Sequence, residues 1–201
     1  MAGLREKKKT DRNKRIQNAA IKLFGTQGYE ATTMRGIAQE AELGVGTLYN
    51  YYKSKGEILL SIIDDKSEEF VYEFDDAIKN RKNDIFSSVS TFFGIYIKSF
   101  SIYNKRIWRE FLSAALTKQP SIIEYIWAID SIFIKKFTEL LQRFAKDGLI
   151  GNGIDFESIS LTFYSVLGFH ILKYISDEDI SIEVLKESFE KQIRVLIAGL
   201  I

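Results

Sequence analysis

The chain has 201 residues, 46% hydrophobic and 27% charged, enough to bury a substantial core as one large or two small domains and unlike a disordered sequence. It has no cysteine, which excludes a disulfide framework and thiolate chemistry, and no apolar run approaches the ~18 residues of a membrane span. The net charge of +1 hides a polarity: residues 1–55 hold 11 Lys and Arg against 5 Asp and Glu, the remainder 17 against 22, a basic head on an acidic body.

The opening MAGLREKKK is followed by no apolar core of a signal peptide, so a cytoplasmic location is expected. Its cations suit a mobile arm touching phosphates, and its composition equally suits a solvated tail. Thr10 is placed to cap a first helix carrying Ile16, Ala19, Ala20, Leu23 and Phe24 at helical spacing. Gly25 and Gly28 end that pattern.

Thr32 to Lys55, TTMRGIAQEAELGVGTLYNYYKSK, predicts two short helices around a tight turn. Thr33 is a plausible N-cap, and Ile37, Ala38 and Ala41 share one face. Glu42-Leu43-Gly44 interrupts the pattern before a second segment, Val45 to Tyr52, with Leu48 and Tyr52 inward and Thr47, Tyr49, Asn50 and Tyr51 outward. Such a pair is a helix-turn-helix, whose second member can lie in the DNA major groove. The outward chemistry suits that: Asn can pair with adenine, a Thr methyl can meet thymine, and Tyr hydroxyls and helix N-terminal amides can hold phosphates. Gly44 and Gly46 would let the backbone approach the sugar-phosphate chain closely. An ordinary helical hairpin explains the apolar positions equally well. It does not explain tyrosines, an asparagine and lysines crowded after a glycine-rich turn.

ATTMRGIA followed by GTLYNYYKSKGEIL resembles the DNA-binding domain of the TetR family of bacterial transcriptional regulators, over roughly residues 12–63 and most strongly across Thr32–Lys55. The family usually has a carboxylate where Gly36 stands, Gly where Glu42 stands, and Ser or Thr where Gly44 stands. Glu42 is therefore expected to be strained, at about 1–3 kcal/mol if its φ is positive. The candidate DNA-contacting set is Thr32, Thr33, Arg35, Gly44, Val45, Gly46, Thr47, Tyr49, Asn50, Tyr51 and Lys55. The DNA-binding domain is placed at residues 10–55, within a family-level match of about 10–70, and the body at 56–201.

Ser54-Lys55-Gly56-Glu57 has the form of a capping box, predicting a fourth helix to about Ala77. The acids Asp64, Asp65, Glu68, Glu69, Glu73, Asp75 and Asp76 read as a solvated, DNA-averse face rather than a metal site, since no His stands near them. From Asn83 onward every segment is helical, with stripes at Ile85–Phe100 and Ile107–Ala115, a long helix after Pro120, a loop at Gly148–Gly153, and final helices near 156–175 and 181–198. The expected fold is all-α with about nine helices.

Aromatics crowd the body. Phe92, Tyr96, Phe100, Trp108, Phe111, Tyr125, Trp127 and Phe133 are the candidates to line a cavity for a small apolar or aromatic effector, against the plainer reading of core filling. Val195, Leu196, Ile197, Leu200 and Ile201 nearly circle the last helix, which a single subunit covers poorly. The resemblance implies dimerisation through the two C-terminal helices, with Phe163, Leu167, His170, Phe189, Ile193, Leu196 and Ile197 as interface candidates. One histidine and no cysteine leave no metal site and no cofactor to expect. No nucleophile–base pair or phosphate loop suggests an enzyme. The function these readings imply is a homodimeric, ligand-responsive repressor of a near-palindromic operator; the alternative keeps the same head on a body that docks a protein.

Overall fold

The computed structural model describes residues 2–65, 67–117, 120–151 and 153–200. Among them ten helices and no strand occur: α1 (Ala2–Gln27), α2 (Met34–Glu40), α3 (Val45–Tyr49), α4 (Lys55–Asp64), α5 (Ser67–Lys79), α6 (Ile85–Ser99), α7 (Lys105–Thr117), α8 (Pro120–Lys146), α9 (Phe156–Ser176) and α10 (Ile182–Ala198). The all-α expectation holds. No described helix is long and apolar enough to cross a membrane.

Three local expectations change. α1 already runs at Ala2, so the basic arm is helix; its Lys, Arg and Glu residues are good helix formers. Thr10 is not a cap, because its hydroxyl donates to the Glu6 carbonyl one turn back. The fourth helix divides: α4 ends at Asp64 and α5 starts at Ser67. Asp64 and Asp65 would repel Glu68 and Glu69 four residues on in one continuous helix, whereas at the first turn of α5 the two glutamates suit the positive end of the helix dipole.

The chain forms two compact units, Met1–Lys66 with Arg106–Tyr125, and Ser67–Lys105 with Ile126–Ile201. In the first, Ile16, Ala20 and Phe24 of α1 are buried with Ile37 and Ala38 of α2, Leu48 of α3 and Ile58, Leu59 and Ile62 of α4. α1 packs on α2 and α4, and α2 on α3. The core of the second is built from rings: Phe93 lies 4.7 Å from Phe137 and 4.9 Å from Phe189, and Phe92 lies 4.8 Å from Phe74 and 5.2 Å from Phe133, centroid to centroid. Such tilted and edge-on pairs add to the burial that holds α5, α6, α8, α9 and α10 together. Ile201 lies outside the described residues.

Candidate nucleic-acid interface

The helix-turn-helix is assembled from caps and braces. Thr33 is the N-cap of α2, extended at φ −115° and ψ 153°, and its hydroxyl accepts from the Gly36 amide at 3.0 Å. The turn bends at Glu42, a non-glycine residue with positive φ, at 52°. Arg15 of α1 reaches across to hold it: one guanidinium nitrogen donates to the carbonyls of Ala41 (2.6 Å) and Glu42 (3.2 Å) and sits 3.1 Å from the Glu42 carboxylate. Lys22 bridges to Glu40 at 2.6 Å, tying α1 to α2 a second time.

α3 is shorter than Val45–Tyr52. Its ladder tightens at Asn50, whose amide bonds to Thr47 and caps the helix, and Tyr51 bonds back three residues to Leu48. Gly44 is the N-cap and contributes no side-chain bond. The buried side is anchored by Leu48 and by Tyr52, whose hydroxyl donates to Asn13 of α1 at 2.6 Å. Opposite, Tyr49 is 43% exposed and Asn50, Gly44, Gly46 and Arg35 are exposed, while Val45, Thr47 and Tyr51 are half-buried. Lys53 donates to the Tyr49 carbonyl at 2.8 Å, satisfying the helix C-terminus.

Two expected DNA contacts are structural instead. Thr32 is buried, accepting from the Gln27 amide and donating to the Gly28 carbonyl at 2.7 Å. The Lys55 ammonium donates to the carbonyls of Tyr29 (2.6 Å) and Glu30 (3.3 Å) and lies 4.4 Å from the Tyr29 ring centroid. It braces the loop after α1 rather than pointing outward. Ser54 caps α4 by accepting from Glu57 N, but the Glu57 carboxylate returns to the amide of Lys53, one residue before the cap.

The aromatic candidates separate. Phe92 and Phe133 fill the ring core of the second unit, and Phe100 is buried 5.6 Å from Tyr96. Trp108 and Phe111 are buried edge-to-face in the first unit, where Tyr125 donates to Asp64 at 2.5 Å. Trp127 is 64% exposed. Grooves of about 310, 340 and 770 Å³ are lined by none of the eight. The interface candidates also turn inward: Phe163, Leu167, His170, Phe189, Ile193 and Ile197 are buried and Leu196 half-buried. They pack α9 on α10 and α10 on α6. What those helices leave outside is Leu161, Phe169, Leu172, Val184 and Val195. Among the described residues no group of three or more His, Asp or Glu could hold a metal ion.

Residues 16–62, from the middle of α1 into α4, match the family model of bacterial regulatory proteins, tetR family. This stretch is a TetR-type helix-turn-helix head. The TetR-type head is 45% identical over 53 residues to the repressor KstR of Rhodococcus jostii, a stretch covering 26% of this chain and 25% of KstR. The chain thus matches about a quarter of the length of the KstR repressors. A helix-turn-helix regulator of Staphylococcus aureus is similar over more of the molecule, 26% identical across 169 residues, 77% of this chain and 88% of that one. Among solved structures, FadR from Bacillus subtilis in complex with stearoyl-CoA superposes with a TM-score of 0.72 at 18% identity, over 93% of this chain and 98% of FadR. At that identity the likeness is one of fold. All three of these relatives are transcriptional regulators.

Sequence reading missed the braces of this head. Arg15, Asn13 and Lys55 each act on a residue 26 to 39 positions away, and no local pattern announces such a partner. The family departure at Glu42 was the one available signal, since a strained turn needs something to hold it.

Proposed function

We propose that this chain is a TetR-family regulator, a homodimeric, ligand-responsive repressor whose α3 reads a near-palindromic operator. One observation carries the reading: α3 buries Leu48 and Tyr52 while leaving Tyr49 and Asn50 exposed beside two glycines on the basic part of the chain. Asn50 would pair with a base edge, Tyr49 and the amides at the start of α3 would hold phosphates, and Gly44 and Gly46 would leave the backbone room to approach. Arg35 and Thr33, at the start of α2, would meet the neighbouring phosphates. Residues 10–55 form the DNA-binding domain in this reading, and 56–201 the ligand-binding and dimerisation body. The exposed apolar residues of α9 and α10 support a two-fold pairing that would place two reading helices about 34–36 Å apart, one turn of DNA. The stearoyl-CoA bound by FadR of Bacillus subtilis supports a body that takes a small molecule with an apolar part, whatever its charge. Such an effector would bind the spacing that fits the operator poorly and shift the population toward it. A repressor of this kind works in the cytoplasm.

The test is fluorescence anisotropy of the full chain on DNA flanking its own coding region, with a scrambled duplex as reference. Asn50→Ala should lose about 1–3 kcal/mol of preference for the specific site while scrambled binding stays put. Tyr49→Phe should weaken both duplexes alike. No preference for any flanking duplex in the unsubstituted chain, or an Asn50→Ala chain that discriminates as before, would remove α3 as the reader.

A further inference from the structure

On α8, Trp127 and Asp130 stand three residues apart and so share a helix face. Trp127 is largely exposed and Asp130 half-buried. The Asp130 carboxylate accepts from the Tyr96 hydroxyl of α6 at 2.8 Å, and that hydroxyl lies 3.4 Å from the Tyr164 hydroxyl of α9. Rings wall this cluster: Tyr96 lies 4.6 Å from Phe133 and 5.6 Å from Phe100, and Tyr164 lies 5.7 Å from Phe133. Among the described residues, the groups acting on Asp130 are the Tyr96 and Tyr164 hydroxyls. Burial raises its pKa, and the two neutral tyrosine hydroxyls pull it back. Burial also raises both tyrosines, so neither ionises near neutral pH.

A desolvated carboxylate is ordinarily paired with a positive side chain, because removing it from water is costly. Here, among the described residues, the groups that meet it are hydroxyls. A carboxylate so placed repels an anion and attracts a cation. We propose that this face of the body binds an organic cation, its ammonium at Asp130 and its apolar part against the Trp127 ring. Tyr96 and Tyr164 hold the carboxylate in place. The inference rests on the reading that the body takes a small molecule, and it assigns that molecule a positive charge.

The test uses the full chain and three probes matched in length: octyltrimethylammonium, octan-1-ol and octanoate, followed by calorimetry and tryptophan fluorescence. The cation should bind at least about tenfold more tightly than either of the others, an amount within reach of one ion pair and one cation–π contact. Asp130→Asn, which keeps the shape and an acceptor for Tyr96, should bring the cation down to the level of the alcohol. Trp127→Phe, at an exposed position, should weaken the cation and remove its fluorescence response. In the unsubstituted chain, cation affinity should fall on acidification as Asp130 takes a proton, while octanol binding stays level. Tyr96 and Tyr164, the titratable groups facing Asp130, stay neutral across that range. Equal binding of cation and alcohol, tighter binding of octanoate, or no effect of Asp130→Asn would overturn the cation assignment and leave the small-molecule reading standing. Binding of none of the three would remove both.

Discussion

Glu42 occupies a left-handed conformation, φ 52°, that costs a residue with a β-carbon about 1–3 kcal/mol. The turn keeps it because Arg15 bonds two backbone carbonyls there, and those bonds do not need the glutamate side chain. Glu42→Gly should therefore stabilise the head by about 1 kcal/mol, with the exposed Arg15–Glu42 ion pair a minor loss. A urea midpoint that rises at constant slope is the expected result; an unchanged or lower midpoint would mean the turn is not strained. His170 sets a second residue-scale prediction. Its Nε2 is buried without a bonding partner among the described residues. Burial holds its pKa below the usual value, with the Lys173 charge acting the same way and a Gln192 hydrogen bond opposing. Because the folded pKa lies below the unfolded one, the stabilisation is complete above about pH 6.5 and is lost as pH falls from there toward the lowered value. Urea midpoints between pH 7.5 and 5.5 should decline, and His170→Gln should flatten that decline, since the chain has no other histidine.

At the scale of elements, α2 and α3 are too short to persist unaided, and their ends matter accordingly. Thr33 supplies α2 with a side-chain cap, whereas Gly44 supplies α3 with none. Thr33→Ala should cost about 1 kcal/mol in chemical denaturation, and Gly44→Ser should gain a few tenths. The gain is sterically free, since a β-carbon at Gly44 would meet only the Thr47 hydroxyl at 3.7 Å. If serine there weakened operator binding while raising stability, the missing side chain would be serving close approach to DNA. The caps at Thr33 and Ser54 were visible in sequence because capping is a matter of four adjacent residues. The break between α4 and α5 was less visible, because apolar spacing continues through it and only the charge order marks it.

At the scale of the whole molecule, the apolar residues that α9 and α10 leave in water call for a partner. Leu161, Phe169 and Leu172 recur on α9, with Val184 and Val195 on α10, the last 74% exposed. In the proposed dimer, placing charge there should separate the subunits: the unsubstituted chain is expected to sediment as a dimer, and Phe169→Glu with Leu172→Glu as a monomer at the same concentration. Operator affinity should fall with it, because two reading helices on one molecule give way to one. A substituted chain that remained dimeric would move the interface elsewhere. Phe163, Leu167 and Ile193 would not serve this test, since their loss opens the core.

The sequence by itself determined the helical class, the helix-turn-helix with its inward Leu48 and Tyr52, the strained position at Glu42 and the family that these residues resemble. All are local, written in spacing, capping and turn chemistry over a few residues. Only the tertiary structure decided which aromatics fill a core and which meet solvent, because Phe133 and Trp127 lie on the same helix at spacings that allow either. It alone turned Lys55 toward the Tyr29 carbonyl, buried Thr32, and set Phe163 inside while leaving Phe169 out. An apolar stripe at helical spacing says that one face will be covered; the angle at which neighbouring helices pack determines which.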